Sequence, residues 1–343
     1  MSKKDKNEEH WSKQKETGGT GAVKFLFILF KIFPMLFLRL IAFPVGFFYY
    51  IFSKRARKES RRFFDNIAPY IDEPKLLKKC KRHFAPLRHI ISFALSLLEK
   101  IQTWSGKYNL ENIYFQDDDI KELINELDSG KGVLLIISHL GNAEALRGML
   151  NHGKTGVSRK VPFTAIMNVK ISANFNKMLK EINPESGMDI IGADEVGPDT
   201  AVILEERITS GGMVLVAGDR TSAADGSSNM VLPFLGKPAH FSSGMFYIAS
   251  IMNASVYFVF GLRRNELSLK SHYDMHVHKS GILYAETRKE RKEKCIELAS
   301  SFVSLLEIYC KKQPFQWYNF YNFWQNLSAA EDDNERKTGK RTL

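Results

Sequence analysis

The segment GVLLIISHLGNAE, residues 132–144, decides the fold. Its first seven residues, Gly132 to Ser138, form a short unbroken apolar run rich in branched side chains. A strand covered on both faces needs such a run, and it is too short for a buried helix. Polar residues follow at once, and Asn142 to Leu150 then takes on helical spacing. The same rhythm repeats downstream. Strands are predicted at Val161–Val169, Asp189–Gly192, Gly212–Ala217 and Ala254–Leu262. Helices are predicted at Asn174–Ile182, Pro198–Thr209, Gly244–Met252 and Ala285–Lys311, with a further apolar helix upstream at Ile90–Ile101. Gly218 to Ser243 reads as a Gly/Ser/Pro-rich loop, and Leu267 to His278 alternates. Strands interleaved with helices predict an α/β fold, a three-layer sandwich with a mostly parallel central sheet.

A hydrophobic segment precedes that domain. Ala22 to Phe52 reads AVKFLFILFKIFPMLFLRLIAFPVGFFYYIF, with Lys24, Lys31 and Arg39 as its only charges. On a helix these three fall within about 80° of one another. The longest uncharged run, Leu40 to Ser53, has 14 residues, fewer than the roughly 20 that span a bilayer. Pro34 and Pro44 are expected to kink or break any helix here. The reading is a membrane-associating helical segment lying in the interface, its basic residues snorkelling to headgroups. A buried core helix pair is the plainer alternative, and a single spanning helix a third. Two basic clusters follow, from Lys54 to Arg62 and from Lys75 to Arg82, as expected beside an anionic cytoplasmic leaflet. The expected organisation is a flexible basic arm (1–21), the membrane-associating segment with its basic cluster (22–74), a catalytic domain (75–327) and a disordered tail (328–343).

Composition narrows the function classes. The chain has 343 residues, 44% of them hydrophobic and 25% charged, which excludes a mostly disordered or fibrous protein. Lys and Arg number 49 against 38 Asp and Glu, a net charge of +11 that suits an anionic partner. No nucleic-acid module signature appears, so an anionic membrane surface is preferred over nucleic acid. Three scattered cysteines argue against a disulfide framework and against a thiolate metal site.

Chemistry is expected where strands end. His139 follows the first buried strand, and Glu144 stands five residues on at the start of a helix. The pair suits a general base with a carboxylate that fixes its tautomer, although such pairs also occur as plain capping features. No G-x-S-x-G elbow lies nearby, so the base would act on a substrate hydroxyl directly. The strand ending at Ala217 runs into Asp219 and Arg220, able to orient an acceptor and to hold a phosphate or oxyanion, or simply to form a salt-bridged loop. His272, Asp274, His276 and His278 share one face of a strand, as metal ligands would. Tyr273, Met275 and Val277 make the other face apolar, so a half-exposed strand explains the pattern, and no metal is expected. The aromatic run Phe315–Trp324 reads as core packing or a membrane-facing belt.

The ordered set of blocks resembles the lysophospholipid acyltransferase superfamily, in its lipid A biosynthesis acyltransferase branch. The blocks are SHLGNAE (H-x4-E, His139 to Glu144), AGDRTS (217–222), PFLGKPA (233–239) and PFQWYNFYNFW (314–324). His10-Trp11, the segment NPESG (183–187) and the QWYNFYNFW ending are most similar to members found with aryl polyene or flexirubin-type pigment lipid biosynthesis. The resemblance covers roughly residues 10–325.

It implies transfer of a fatty or aryl polyene acyl group from a thioester to a hydroxyl of a lipid or glycolipid. The donor would be acyl carrier protein or coenzyme A, with no cofactor beyond it. His139 would be the general base and Glu144 its partner. Arg147, Asp219 and Arg220 would bind substrate or stabilise charge. The enzyme would sit on the cytoplasmic face of the cell inner membrane. A thioesterase or lipid hydrolase using the same His/Glu pair stays open at this point, as does a non-catalytic membrane-surface binding protein.

Overall fold

The computed structural model describes residues 25, 28–104, 112–117, 119–143, 145–146, 157–167, 188–192, 198–220, 229–282 and 285–324. The basic arm, the polar tail, Lys24, Glu144, Arg147, the segment NPESG and the helix expected at Asn174–Ile182 lie outside the described residues. In chain order the elements are α1 (Met35–Phe52), α2 (Lys54–Ile67), α3 (Pro74–Lys81), α4 (Ala85–Trp104), β1 (Ile113–Phe115), α5 (Asp119–Asp128), β2 (Val133–Gly141), β3 (Phe163–Met167) and β4 (Met188–Gly192). They continue with α6 (Pro198–Thr209), β5 (Met213–Ala217), β6 (Asn229–Phe234), β7 (Lys237–Ser242), α7 (Ser243–Ile251), β8 (Ser255–Arg263), β9 (Tyr273–Lys279) and α8 (Arg288–Lys312).

Seven strands form one sheet in the order β1-β9-β8-β2-β5-β3-β4. Every neighbouring pair is parallel except β8 with β9. The unbroken apolar runs have their cause in this arrangement. Leu134, Ile136, Val214, Val216 and Phe258 pack to one face with Phe302 and Leu306 of α8. Val133, Leu135, Met213, Leu215 and Val259 pack to the other with Leu123 and Leu127 of α5. Each such side chain contributes about 1.5–3 kcal/mol by leaving water, so the central strands cannot carry polar residues on either face.

The segment from Gly218 to Ser243 departs from the expected loop. Its second half is a hairpin of β6 and β7, joined by Leu235 and Gly236, both at positive φ. A two-residue turn with both residues left-handed matches the twist of the flanking strands. Pro233 and Pro238, which suggested a loop, face each other across the ribbon. A two-stranded ribbon has only edges, where a missing N–H is tolerated.

The apolar segment also corrects two expectations. Pro34 does separate the helical residues 28–32 from α1, but Pro44 lies inside α1 without ending it. Pro44 is exposed, so its ring and the broken hydrogen bond fall on the outer face. Arg39 does not snorkel outward. Its guanidinium donates to the Leu269 carbonyl at 2.6 Å, Ser271 Oγ at 2.8 Å and Gln102 Oε1 at 3.2 Å, and it lies 3.8 Å from the buried Glu99. The inner face of α1, formed by Leu38, Ala42 and Gly46, packs on Ile91, Leu95 and Leu98 of α4. A Cβ at Gly46 would stand 2.8 Å from Ile91, so the two helices meet at glycine contact. The outer face carries Leu36, Phe37, Leu40, Phe47, Phe48 and Phe52, all exposed. Among the described residues α1 is the one helix long and apolar enough to cross a membrane.

Two arginines of the first basic cluster serve the fold. Arg57 donates to the Tyr50 and Ile51 carbonyls at the end of α1. Arg61 donates to the carbonyls of Cys80, Arg82 and His83 after α3. Both satisfy carbonyls that helix ends leave without partners. Phe63, Phe64 and Ile67 of α2 belong to the same apolar cluster as Phe302 of α8.

Glu99 is wholly buried, 3.1 Å from the buried Arg263, and accepts from the Tyr273 hydroxyl. Removing one member of a buried pair strands the other charge. Glu99→Ala is expected to cost about 3–5 kcal/mol in chemical denaturation, with Arg39 losing its neighbouring opposite charge as well. A loss below about 1 kcal/mol, the range of exposed pairs, would show that the pair is not a structural tie.

Candidate active site

β2 and β5 run side by side and parallel, with Ile137 opposite Ala217. Their carboxyl ends therefore deliver the residues that follow to one place. The chain enters β5 from the β4 side of the sheet and leaves it for β8 on the far side of β2. Sheets of this kind open a crevice where the strand order reverses in this way.

Two glycines let the backbone close on that spot. Gly218 donates to the Ile137 carbonyl at 2.8 Å. A Cβ there would meet Phe302 at 2.8 Å and Ile136 at 2.9 Å, so any larger residue would push Asp219 away from β2. Gly141 ends β2 at a φ of 69° and lies against the Gly261 carbonyl, where no side chain fits.

His139 and Asp219 form a tight pair. His139 Nδ1 is 2.7 Å from Asp219 Oδ1, and the His139 backbone N–H donates to Asp219 Oδ2 at 2.8 Å. Oδ2 also accepts from Trp317 Nε1 at 3.0 Å and Asn319 Nδ2 at 3.5 Å. On the other side of the imidazole, Arg220 Nε donates to His139 Nε2 at 3.3 Å. The Arg220 guanidinium lies 5.1 Å over the Tyr321 ring. These partners fix the tautomer. An ionised carboxylate only accepts and an arginine only donates, so the proton is on Nδ1 and the lone pair on Nε2. Asp219 is fully buried, whereas the His139 side chain keeps 32% of its surface exposed. A buried carboxylate thus stands behind an accessible imidazole, an arrangement able to accept a proton from a hydroxyl at Nε2.

The electrostatics agree with that role. Burial and the Arg220 cation hold His139 below the ordinary histidine value, against the pull of Asp219. The imidazole is therefore neutral near pH 7, with no proton on Nε2. Burial pushes the Asp219 carboxyl up, but His139, the hydrogen bond between them and Arg220 outweigh it, and the carboxyl stays below the usual carboxylate range.

The residues expected from the sequence divide as follows. His139, Asp219 and Arg220 are brought together. Glu144 and Arg147 lie outside the described residues, and Nδ1 of His139 is taken by Asp219. Asp219, expected to meet substrate, is enclosed and spends its oxygens on His139, Trp317 and Asn319. From the sequence the Phe315–Trp324 run reads as core packing or a membrane-facing belt. It is packing, with Phe315, Trp317, Tyr318 and Phe323 buried, but it also reaches the site. Leu140 pairs with Trp317 in an isolated bridge, and the Tyr318 N–H donates to the His139 carbonyl at 3.0 Å. The QW pair adjacent to NFY was a signal, but neither residue type announces a carboxylate partner.

The histidine-rich strand is β9, alternating as expected with Tyr273, Met275 and Val277 buried. His276 and His278 gather with Asp117, their donor atoms within 4.8 Å of one another. His276 Nδ1 is 3.0 Å from Asp117, and His278 Nε2 is 2.6 Å from the Tyr309 hydroxyl. Burial and the Lys312 cation lower His276. The cluster reads as a hydrogen-bonded tie between β9, the end of β1 and α8, apart from the His139 crevice.

A family model described as bacterial lipid A biosynthesis acyltransferase matches residues 12–326. No curated protein matches the chain.

For a base acting through Nε2 the deprotonated form is the active one, and the folded value of His139 lies below the usual 6.5. The rate is therefore expected to be level at neutral pH and to fall only as the pH drops below that value. Arg220→Ala removes a cation that lowers His139, so its acid limb is expected at higher pH. Asp219→Asn is expected to cut kcat by about 10⁴-fold, as when a triad carboxylate is neutralised. The check is the pH–rate profile of the three proteins. An unchanged limb in Arg220→Ala would separate Arg220 from the titrating group.

Proposed function

The chain belongs to the bacterial lipid A biosynthesis acyltransferase family, and from that premise we propose that it transfers a fatty or aryl polyene acyl group from a thioester to a hydroxyl of a lipid or glycolipid. His139 is the general base, with acyl carrier protein or coenzyme A as the thioester donor. The observation that carries this reading is the neutral, partly exposed His139, its Nδ1–H on a buried carboxylate and its Nε2 met by the long Arg220 contact at 3.3 Å.

The acceptor hydroxyl gives its proton to Nε2 as its oxygen attacks the thioester carbonyl. Asp219 stabilises the imidazolium that forms. Arg220, within reach of the same nitrogen, stabilises the oxyanion of the tetrahedral intermediate. The C–S bond then breaks, the thiolate takes the proton from the imidazolium, and the ester leaves with its acyl chain. No enzyme nucleophile takes part. Glu144, the carboxylate of the H-x4-E pattern, acts in the same step, and Arg147 meets an anionic group of the acceptor.

The remaining parts of the reading concern location and partners. The outer face of α1 enters the cytoplasmic leaflet of the inner membrane, where its exposed Phe and Leu side chains replace water with acyl chains. The net charge of +11 favours both that anionic surface and an acidic carrier protein. The two apolar clusters, one on each face of the sheet, support a three-layer sandwich. Likeness in His10-Trp11 and in Gln316–Trp324 supports the branch associated with aryl polyene or flexirubin-type lipids.

The test uses membranes containing the wild type or His139→Ala, supplied with acyl carrier protein bearing a radiolabelled acyl chain. Label is expected in extractable lipid, and His139→Ala is expected to lower its rate about 10²–10⁴-fold. Label appearing only as free fatty acid would replace the transferase with a hydrolase. Equal turnover in both proteins would remove His139 from the chemistry.

A further inference from the structure

Asp219 can serve His139 only if its carboxylate is held in one rotation. Two oxygens are available, and one must face Nδ1. The structure assigns Oδ1 to the imidazole at 2.7 Å, while Oδ2 is occupied by N–H donors from two different parts of the chain. One is the His139 backbone amide at 2.8 Å, which moves with the base itself. The others come from the segment after α8: the Trp317 indole at 3.0 Å, nearly a hundred residues away in sequence, and, more distantly, the Asn319 amide at 3.5 Å. The indole is the nearer of these two and the stronger hold on the carboxylate from outside the His139 strand.

The indole is itself immobilised. Trp317 is 1% exposed. Its ring centroid lies 5.0 Å from Phe63, 5.2 Å from Phe234 and 4.9 Å from Phe323. Its backbone is held at the other end. The Trp317 carbonyl is 2.9 Å from His89 Nε2, and His89 Nδ1 is 2.9 Å from Ser60 Oγ. A carbonyl only accepts, so His89 carries its proton on Nε2 and takes the Ser60 hydroxyl at Nδ1. Burial pushes the His89 imidazole down to about 3, so it stays neutral and keeps both bonds. Ser60 and Phe63 belong to α2, directly after the apolar helix α1. The chain of contacts thus runs from α2, through a buried histidine, to the carboxylate behind His139.

We propose that Trp317 is a positioning residue of the acyl-transfer site: its indole N–H holds Oδ2 of Asp219 so that Oδ1 faces His139. This rests on the reading of His139 as the base. An expectation follows that packing alone would not produce. Without the indole donor, the Asp219 charge is less stabilised and holds the imidazolium more tightly. His139 then becomes more basic, and the acid limb of the pH–rate profile moves to higher pH.

The test compares full-length wild type, Trp317→Phe and a variant carrying 3-benzothienylalanine at 317, an isostere of tryptophan with sulfur in place of N–H. Acyl-carrier-protein thioester turnover is followed across pH, with His139→Ala alongside. Both variants are expected to lose about 10- to 100-fold in kcat, the worth of a hydrogen bond to a charged group. KM for the thioester is expected to stay close to wild type, with the acid limb displaced upward. The isostere preserves the ring among Phe63, Phe234 and Phe323, so poor folding of Trp317→Phe leaves the result interpretable. An isostere with wild-type kcat and limb would overturn the proposal, as would a rate loss with an unmoved limb, since packing suffices for that. If His139→Ala keeps its activity, the base assignment itself falls, and the two failures are told apart.

Discussion

A carboxylate with no exposed surface governs this structure. Taking an ion the size of Asp219 out of water costs several kcal/mol even after relaxation, so the fold must return hydrogen bonds from within. Asp219 receives them from the His139 ring and amide, the Trp317 indole and the Asn319 amide. None of these donors comes from its own strand. The parallel pairing of β2 with β5 supplies the first two, and the passage after α8 supplies the others by crossing back over the end of β2. The Leu140–Trp317 bridge and the Tyr318–His139 hydrogen bond fasten that crossing to the strand carrying His139. The terminal aromatic segment is therefore part of the site's wall and not an appendix to the last helix.

The apolar arm is bound into the same arrangement. Phe63, Phe64 and Ile67 of α2 bury against the cluster that contains Trp317 and Phe302, and α1 meets α4 at the Gly46–Ile91 contact. Arg39 shows which force prevails on α1. An arginine on an exposed apolar helix would normally extend into water or headgroups. Here two carbonyl and hydroxyl acceptors and the neighbouring Glu99 lie inward, and charge-assisted hydrogen bonds outweigh solvation of the free guanidinium. The consequence is orientation. Leu36, Phe37, Leu40, Phe47 and Phe48 are held facing away from the sheet, so any surface that covers them meets the crevice at a fixed angle.

Much of this was legible in the residues. Runs such as GVLLIIS and GMVLVA are apolar on consecutive positions because both sheet faces are covered, and that alone yields the parallel α/β order. His139, Asp219 and Arg220 were legible because polar residues directly after such runs have nowhere to go but the crevice. Three things were not. The β6–β7 hairpin was masked by two prolines that a ribbon of edges tolerates. Arg39 was judged by helical spacing, which describes a helix in isolation and not the acceptors packed against it. The hold on Asp219 by Trp317 and Asn319 is a contact about a hundred residues apart in sequence, set by a crossing that no local pattern encodes. Spacing suggested Glu144, which lies outside the described residues; the carboxylate seen on Nδ1 of His139 is near it only in the folded sheet.

Arg220 completes the electrostatic logic of the site. Its bond to His139 Nε2 is 3.3 Å, longer than a well-made N–H···acceptor bond and correspondingly weak. It covers the Nε2 lone pair, so any group that hydrogen-bonds to that nitrogen has to displace it. Displacement costs little at that length, and the cation does not go far, being seated over Tyr321. While it rests on Nε2 it lowers the basicity of His139, which keeps the imidazole neutral and ready. Once displaced toward the attacked carbonyl, the same charge would favour the oxyanion. A strongly basic histidine would be protonated before substrate arrived, and one without a carboxylate behind it could not hold the proton afterward. Asp219 and Arg220 pull His139 in opposite directions, and with burial the balance leaves an imidazole that is unprotonated at neutral pH, with a carboxylate behind it to stabilise a proton it takes up.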